Sequence, residues 1–218
     1  MRALVNEYTK YFKYVYTDWV QPTLTSDGSF YGSSMAVALQ FGSNNSQYGT
    51  AYKIFLPNTD LAGFYCDEWQ SWMEVRMYFP NPTRIKTITF NNPDNRTDQS
   101  GPLVGTTLFA GDYAGSREVT YLSIGTVTGT YTNNNVPSNG YYKYYTIYFK
   151  NKGSAYNDRA DIRKIQVSGV ERTVIEGTPE DYDYKVDGGR VSLIKETING
   201  TNKFKALKSY KKGQYYGN

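Results

Sequence analysis

Strict alternation of apolar and polar side chains between residues 72 and 90 constrains this chain more than any other sequence feature. The apolar positions of the first run are Met73, Val75, Met77 and Phe79, and the positions between them are Trp72, Glu74, Arg76 and Tyr78. After a corner at Pro80-Asn81-Pro82, a second run extends from Ile85 to Phe90. Successive strand side chains point to opposite faces, so the pattern predicts two half-buried strands at the centre of a sheet.

The polar face of the first run carries Glu74 and Arg76, two positions apart. A face of this kind can stay in water while the opposite face is buried. We therefore expect Glu74 and Arg76 to form an exposed ion pair, which contributes little to stability.

Composition favours many short strands over helices. The 218 residues include 23 Tyr and 20 Gly, and no stretch shows a sustained helical period. Aromatic residues are enriched in strands and glycines in the turns between them. The chain is long enough for one core of sandwich size with extensions. The sequence predicts an all-β protein.

The absence of histidine from the sequence removes several classes of active site. A Ser-His-Asp or Cys-His arrangement and a His-ligated zinc site all need an imidazole. Carboxylate chemistry stays open, with Asp67 and Glu68 as a candidate pair, although side chains adjacent in sequence point apart. We expect a protein that is not an enzyme.

The cysteine count, the apolar segments and the net charge bear on where the protein is found and what it binds. Cys66 is the single cysteine, so no internal disulfide can form, and we expect it to be a small buried hydrophobe. The N-terminus has no apolar segment, and no long apolar run occurs, so we expect neither a signal peptide nor a membrane span. A net charge of +4 does not indicate nucleic acid as a partner.

One apolar spacing occurs twice, at Ile85, Ile88 and Phe90 and again at Ile162, Ile165 and Val167. A regular strand needs even spacing on one face. A β-bulge that resets the inward face by one residue accounts for the odd interval.

The segment from Trp19 to Val170 resembles the discoidin, or F5/8 type C, family. Four patterns carry the resemblance in family order: Trp69-Gln70-Ser71-Trp72 before the strand of Met73 to Phe79, then Ile85 to Phe90, then Tyr142 to Ile147, and a closing strand from Ile162 to Gly169. The resemblance implies a galactose-binding-like jelly-roll β-sandwich. The domains predicted for the chain are an N-terminal arm at 1–18, the sandwich at 19–170 and an extension at 171–218.

The run from Tyr11 to Gly28 is similar to the lead-in of such domains in tail-fibre and other virion proteins of gut bacteriophages. This resemblance implies a phage virion structural protein, assembled in the host cytoplasm as part of a tail or fibre-like appendage. Its partners are then other virion proteins and further copies of itself, with a cell-surface glycan as an added ligand. The alternative is a non-catalytic carbohydrate-binding module or adhesin of a bacterium.

Sugar recognition needs an aromatic face and polar side chains on loops at one end of a rigid sandwich. Loop residues of these types are the candidate glycan ligands: Tyr65, Trp69, Arg96, Tyr113, Tyr156, Asp158 and Arg159.

We expect no cofactor and no metal ligand. The oxygen-rich cluster of Asn91, Asn92, Asp94, Asn95 and Asp98 leaves calcium open as an alternative to a solvated loop. The Asp-Gly that the family links to calcium is absent, because Ile54-Phe55 is followed by Leu56-Pro57.

Acidic and basic residues lie in different parts of the extension at 171–218. Residues 171–187 contain six acids and two bases, a net of −4, and residues 188–218 contain seven bases and one acid, a net of +6. Asn199-Gly200 lies between two apolar runs, and Asn-Gly is a strong hairpin signal. The sequence predicts a C-terminal β-hairpin that docks on its own sandwich or on a neighbouring subunit.

Overall fold

The computed structural model describes residues 9–28, 30, 34–41, 51–56, 64–66, 72–92, 103–137, 140–150, 160–162, 164–187, 190–198 and 201–206. The regular structure in these ranges is β-strand, apart from one 3-10 helix at Ala51–Phe55. No helix in these ranges is long and apolar enough to cross a membrane. The all-β prediction is confirmed.

Thirteen strands follow one another within the described ranges. They are β1 Thr9–Val20, β2 Ala36–Phe41, β3 Phe64–Cys66, β4 Met73–Asn92, β5 Leu103–Gly111, β6 Val119–Val127, β7 Gly129–Asn133, β8 Tyr142–Lys150, β9 Ala160–Ile162, β10 Lys164–Glu176, β11 Tyr184–Asp187, β12 Arg190–Ile198 and β13 Thr201–Ala206. The chain divides into two compact units. The main unit is Thr17–Glu171, and the extension unit is Met1–Tyr16 with Arg172–Asn218.

Strand β4 serves both layers of the main unit. Its first half pairs with β2 and β8, which places it in the order β2-β4-β8-β5-β6. The register with β8 shifts between Tyr78 and Thr83, at the predicted proline corner. Beyond the corner the second half of β4 pairs with β7 and β10. The two predicted strands are therefore one bent strand that passes from one layer to the other.

The inward side chains of both halves of β4 share one hydrophobic core. Met73, Val75, Met77 and Phe79 are completely buried, as predicted, and so are Ile85, Ile88 and Phe90. Strand β8 adds its own buried side chains, Tyr145, Ile147 and Phe149. The result is a β-sandwich whose interior is filled from two antiparallel layers.

The odd apolar spacing has two different origins. Ser168 pairs with Thr87 and Gly169 pairs with Ile85, so Lys86 is an extra residue of β4 at a bulge, as predicted. At the second occurrence the prediction is wrong. Ile162 ends β9, which pairs with β3, whereas Ile165 belongs to β10, so the odd interval there separates two strands.

Gly169 lies opposite this bulge, where the two backbones approach closely. A Cβ atom at this position would lie 2.0 Å from the carbonyl oxygen of Arg84, far inside van der Waals contact. The strand continues past Gly169 to Glu176, so the glycine serves close packing of the strands.

We expect Gly169→Ala to lower the free energy of unfolding by about 3 kcal/mol or more, because backbone atoms must move apart. Gly125→Ala is the matched control, since a Cβ there meets nothing within 4 Å and only its φ of 88° is unfavourable. Its expected cost is about 1 kcal/mol. Urea unfolding measures both, and equal losses would contradict the steric explanation.

A cluster of three tyrosines lies where the corner of β4 meets β8. Tyr121 and Tyr145 are buried, their ring centroids are 5.0 Å apart, and each lies 6.2 Å from Tyr142. The Tyr145 hydroxyl donates to the carbonyl oxygen of Thr83, and that of Tyr121 donates to the carbonyl oxygen of Ile85. Burial raises the pKa of Tyr145 well above its usual range and raises the pKa of Tyr121 in the same direction.

These tyrosines should make the protein sensitive to alkali. An unfolded tyrosine loses its proton near pH 10, whereas the folded Tyr145 keeps it, so the unfolded state gains stability as the pH rises above about 10. The contribution to folding is complete below that pH. Tyr145→Phe should flatten the fall in the urea midpoint above about pH 10, and the exposed Tyr113→Phe serves as control. If Tyr145→Phe left the change of the urea midpoint with pH unaltered, Tyr145 would not be the source of the sensitivity to alkali.

Within the extension unit β1 pairs with β11, β11 pairs with β12, and β12 pairs with β13, all antiparallel. Ile198 pairs with Thr201, which confirms the predicted C-terminal hairpin around residues 199 and 200. Those two residues themselves lie outside the described ranges.

Candidate functional site

Five of the seven predicted glycan ligands lie outside the described residues: Trp69, Arg96, Tyr156, Asp158 and Arg159. Tyr65 belongs to strand β3, so its assignment to a loop was wrong. Tyr113 is in the loop between β5 and β6, and its side chain is exposed. The clustering of the seven side chains at one end of the sandwich stays a prediction. The side chain of Cys66 and the acidic residues from Asp94 to Asp98 are also outside the described part of the chain.

The loop that carries Tyr113 lies against the outer face of the β2-β4-β8-β5-β6 layer. The backbone amide of Ser116 donates to the carbonyl oxygen of Tyr113 at 3.0 Å, which closes a turn. Gly115 has a φ of 79°, and a Cβ there would lie 2.6 Å from the guanidinium carbon of Arg76. The loop backbone therefore rests directly on an arginine of β4.

Glu74 holds this loop in place, contrary to the expectation of an exposed pair. Only 1% of Glu74 is exposed. Its Oε2 accepts from Nε of Arg76 at 2.8 Å, and its Oε1 accepts from Nε of Arg117 at 2.8 Å. The expectation was wrong because the loop after β5 brings Arg117 onto the polar face of β4. Alternation alone predicts that this face is exposed to solvent.

Arg117 is also packed between aromatic rings. Its guanidinium carbon lies 4.0 Å from the ring centre of Tyr148 and 5.4 Å from that of Trp72. Cation-π contacts of this kind add to the ion pair when the cation is partly desolvated. Together they fix the base of the loop that displays Tyr113.

Glu74→Gln should lower the free energy of unfolding by about 2 kcal/mol, because two partly buried guanidinium groups lose their counter-charge. It should also speed tryptic cleavage after Arg117 in the folded protein. Glu118→Gln is the control, since Glu118 is exposed in the same loop. Urea unfolding and timed proteolysis test both effects, and an E74Q protein that behaves like E118Q would contradict the anchoring role.

A second feature of the main unit is a cavity of about 320 Å³ beside the β4 and β10 pair, which we call the threonine groove. None of its lining residues carries a charge. The polar lining residues are Gln21, Thr23, Thr87, Thr89, Gln166 and Ser168. The remaining lining residues are Val20, Pro22, Phe55 and Val167.

The register of β4 and β10 produces the floor of the groove. Thr87 pairs with Ser168 and Thr89 pairs with Gln166, so four polar side chains form a grid on the face opposite buried Ile88 and Val167. The hydroxyl oxygens of Thr87 and Ser168 are 2.6 Å apart. Hydroxyl and amide groups fixed in this way can both donate and accept hydrogen bonds.

Gln21 builds one wall of the groove. Its Nε2 donates to the carbonyl oxygen of Phe55 at 2.6 Å, and its Oε1 accepts from the backbone amide of Val167 at 3.0 Å. The side chain therefore joins the end of the 3-10 helix to β10. Because both partners are backbone atoms, they hold the Gln21 side chain in one position.

Sequence reasoning missed the groove because its residues look unremarkable. Gln21-Pro22 is typical of a turn, and Thr87, Thr89, Gln166 and Ser168 are ordinary outward residues of half-buried strands. The available signal was that uncharged polar residues alternate with apolar ones at positions 87–89 and 166–168. Only the pairing of those strands brings them together.

Within the described ranges, no group of three or more Cys, Asp or Glu side chains is placed to hold a metal ion. Whether a cofactor or calcium binds stays untested, and so does the expected lack of catalysis.

Comparison with known proteins adds little. No family model matches the chain, and no curated protein matches it. Among solved structures the chain is similar to CBM32-1 from a family 31 glycoside hydrolase of Clostridium perfringens, with a TM-score of 0.39 and 10% identity over 64% of this chain and 99% of that one. A likeness of this size assigns neither a family nor a function.

Proposed function

We propose that the main unit is a non-catalytic glycan-binding module that takes a neutral saccharide in the threonine groove. The observation that carries the proposal is the uncharged grid of hydroxyl and amide side chains on β4 and β10. A neutral sugar presents many hydroxyl groups that need partners able both to donate and to accept.

The rest of the lining suits the same ligand class. Val20, with 76% of its surface exposed, and Pro22 offer apolar surface on which the C-H groups of a sugar ring can pack. A cavity of about 320 Å³ lies at the small end of the range for ligand pockets, which favours a short saccharide. A charged ligand would lose its hydration without finding a counter-ion among the lining residues.

Loop residues such as Tyr113 are the alternative location for the same class of ligand, because sugar recognition can use aromatic and polar side chains on loops at one end of a sandwich. The two locations make different predictions, so one experiment separates them. The groove is preferred because the structure places its polar side chains together, whereas five of the seven proposed loop ligands lie outside the described residues.

The test is a glycan array of neutral saccharides, followed by calorimetric titration of the best ligand. Thr87→Val with Thr89→Val removes two hydroxyl groups at nearly constant volume. The loss of two hydrogen bonds should weaken binding by about tenfold or more. Thr126→Val, an exposed threonine of β6, is the matched control and should bind as the wild type does.

Failure to bind any neutral saccharide on the array would overturn the proposal. Loss of binding on Tyr113→Ala, with T87V/T89V unchanged, would move the site from the groove to the loops. We also expect no turnover of glycosides by the same protein.

The expected place in a phage tail or fibre, with other virion proteins as partners, stays a prediction. No contact in the described residues bears on it.

A further inference from the structure

The extension unit has no buried side chain among its described residues. The buried side chains of the described protein run from Leu24 to Val170, all in the main unit. Among the described residues, six large hydrophobic side chains are exposed, and four of them lie in the extension unit: Tyr16, Val174, Ile175 and Phe204. A β-sheet with this much uncovered apolar surface is marginal in water.

The strand registers divide the side chains of this unit between two faces. Tyr11 pairs with Lys185 and Lys185 pairs with Leu193, so these side chains share one face. Lys195 is two residues from Leu193 and pairs with Phe204, so Phe204 lies on the same face. The opposite face carries Phe12, Tyr14 and Tyr184, where the guanidinium of Arg172 lies 4.7 Å from the Tyr14 ring.

The first face is centred on a row of aromatic rings. The rings of Phe204 and Tyr182 are stacked with centroids 4.8 Å apart, and Tyr182 lies 4.9 Å from Tyr11. Phe204 leaves 49% of its surface exposed at the end of the row. We call this surface, defined by Tyr11, Tyr182 and Phe204, the aromatic face.

Charges of both signs border the aromatic face. Lys13, two residues from Tyr11, forms an ion pair with Asp181, and Lys195, which pairs with Phe204 in the register, lies 3.8 Å from Asp183. A rim of one sign would require a partner of the opposite sign. A rim with alternating cations and anions is complementary to a rotated copy of itself.

We propose that the aromatic face is a self-association surface, on which a second copy of this chain packs the same face about a two-fold axis. The second copy would cover the exposed half of Phe204 and the neighbouring rings of the aromatic face. The rim lysines and aspartates of the two copies set the orientation, because each cation can meet an anion of the other copy. This inference is independent of the proposed saccharide binding.

Sedimentation velocity of the full chain over a hundredfold range of concentration gives the first test. The wild type should show a reversible monomer-dimer equilibrium. Phe204→Ser should weaken the dimer by about tenfold or more, since a few aromatic side chains that become buried in an interface contribute most of its affinity. Tyr113→Ser removes an equally exposed aromatic from the main unit and should leave the equilibrium unchanged.

A charge exchange gives the second test and does not depend on the Phe204 variant. Lys13→Glu makes the Lys13–Asp181 pair doubly negative, and Asp181→Lys makes it doubly positive. Each variant should self-associate more weakly than the wild type. An equimolar mixture should form a mixed dimer at least as tight as that of the wild type, because opposite charges then meet at both rims. The pair is exposed, so both variants should keep the wild-type melting temperature.

A wild type that stays monomeric throughout the concentration range would overturn the proposal. So would a Phe204→Ser protein that is folded by circular dichroism and dimerises as tightly as the wild type. A mixture of the two charge variants that associates no better than either alone would show that the rim does not meet a second copy. Saccharide titration of the same variants should be unaffected, which keeps the two proposals separable.

Discussion

The corner in strand β4 is the constraint on which the rest of the main unit depends. One continuous strand, Met73–Asn92, turns at Pro80 and Pro82 and pairs with different neighbours on each side. Proline has no backbone N-H to donate, so the ladder is interrupted there and the strand can change layers. Because both halves direct their buried side chains into one core, the two layers must form together.

The same corner determines what each outer face can do. On the first half of β4, the loop after β5 brings Arg117 to Glu74 and converts an apparent surface pair into a buried, doubly paired carboxylate. Removing a charge from water is costly unless its partners are well placed, so this contact fixes the loop geometry strongly. On the second half, the face holds small polar side chains and becomes the floor of the threonine groove.

The two proposed surfaces use different physical interactions. The groove relies on neutral hydrogen-bonding groups, which discriminate among ligands by the pattern of donors and acceptors. The aromatic face relies on apolar burial bordered by charges of both signs. A dimer formed through the aromatic face would carry two threonine grooves. Two linked sites bind a ligand with repeated units with a higher apparent affinity than one site does.

The sequence by itself determined the features that follow from local periodicity. Alternation identified the buried face of β4, the odd interval at Ile85 and Ile88 identified the bulge at Lys86, and Asn199-Gly200 identified the last hairpin. These signals are local because strand side chains alternate with a period of two and because tight turns require particular residues.

Only the tertiary structure decided which outer faces are covered and which polar residues meet. Glu74 and Arg117 are 43 positions apart, and Gln21 is 146 positions from Val167, so no window of sequence contains either contact. The repeated spacing at Ile162 and Ile165 misled for the same reason, since the strand partners of β9 and β10 differ. Periodicity states which face of a strand is apolar, whereas the burial of the other face depends on distant segments that happen to cross it.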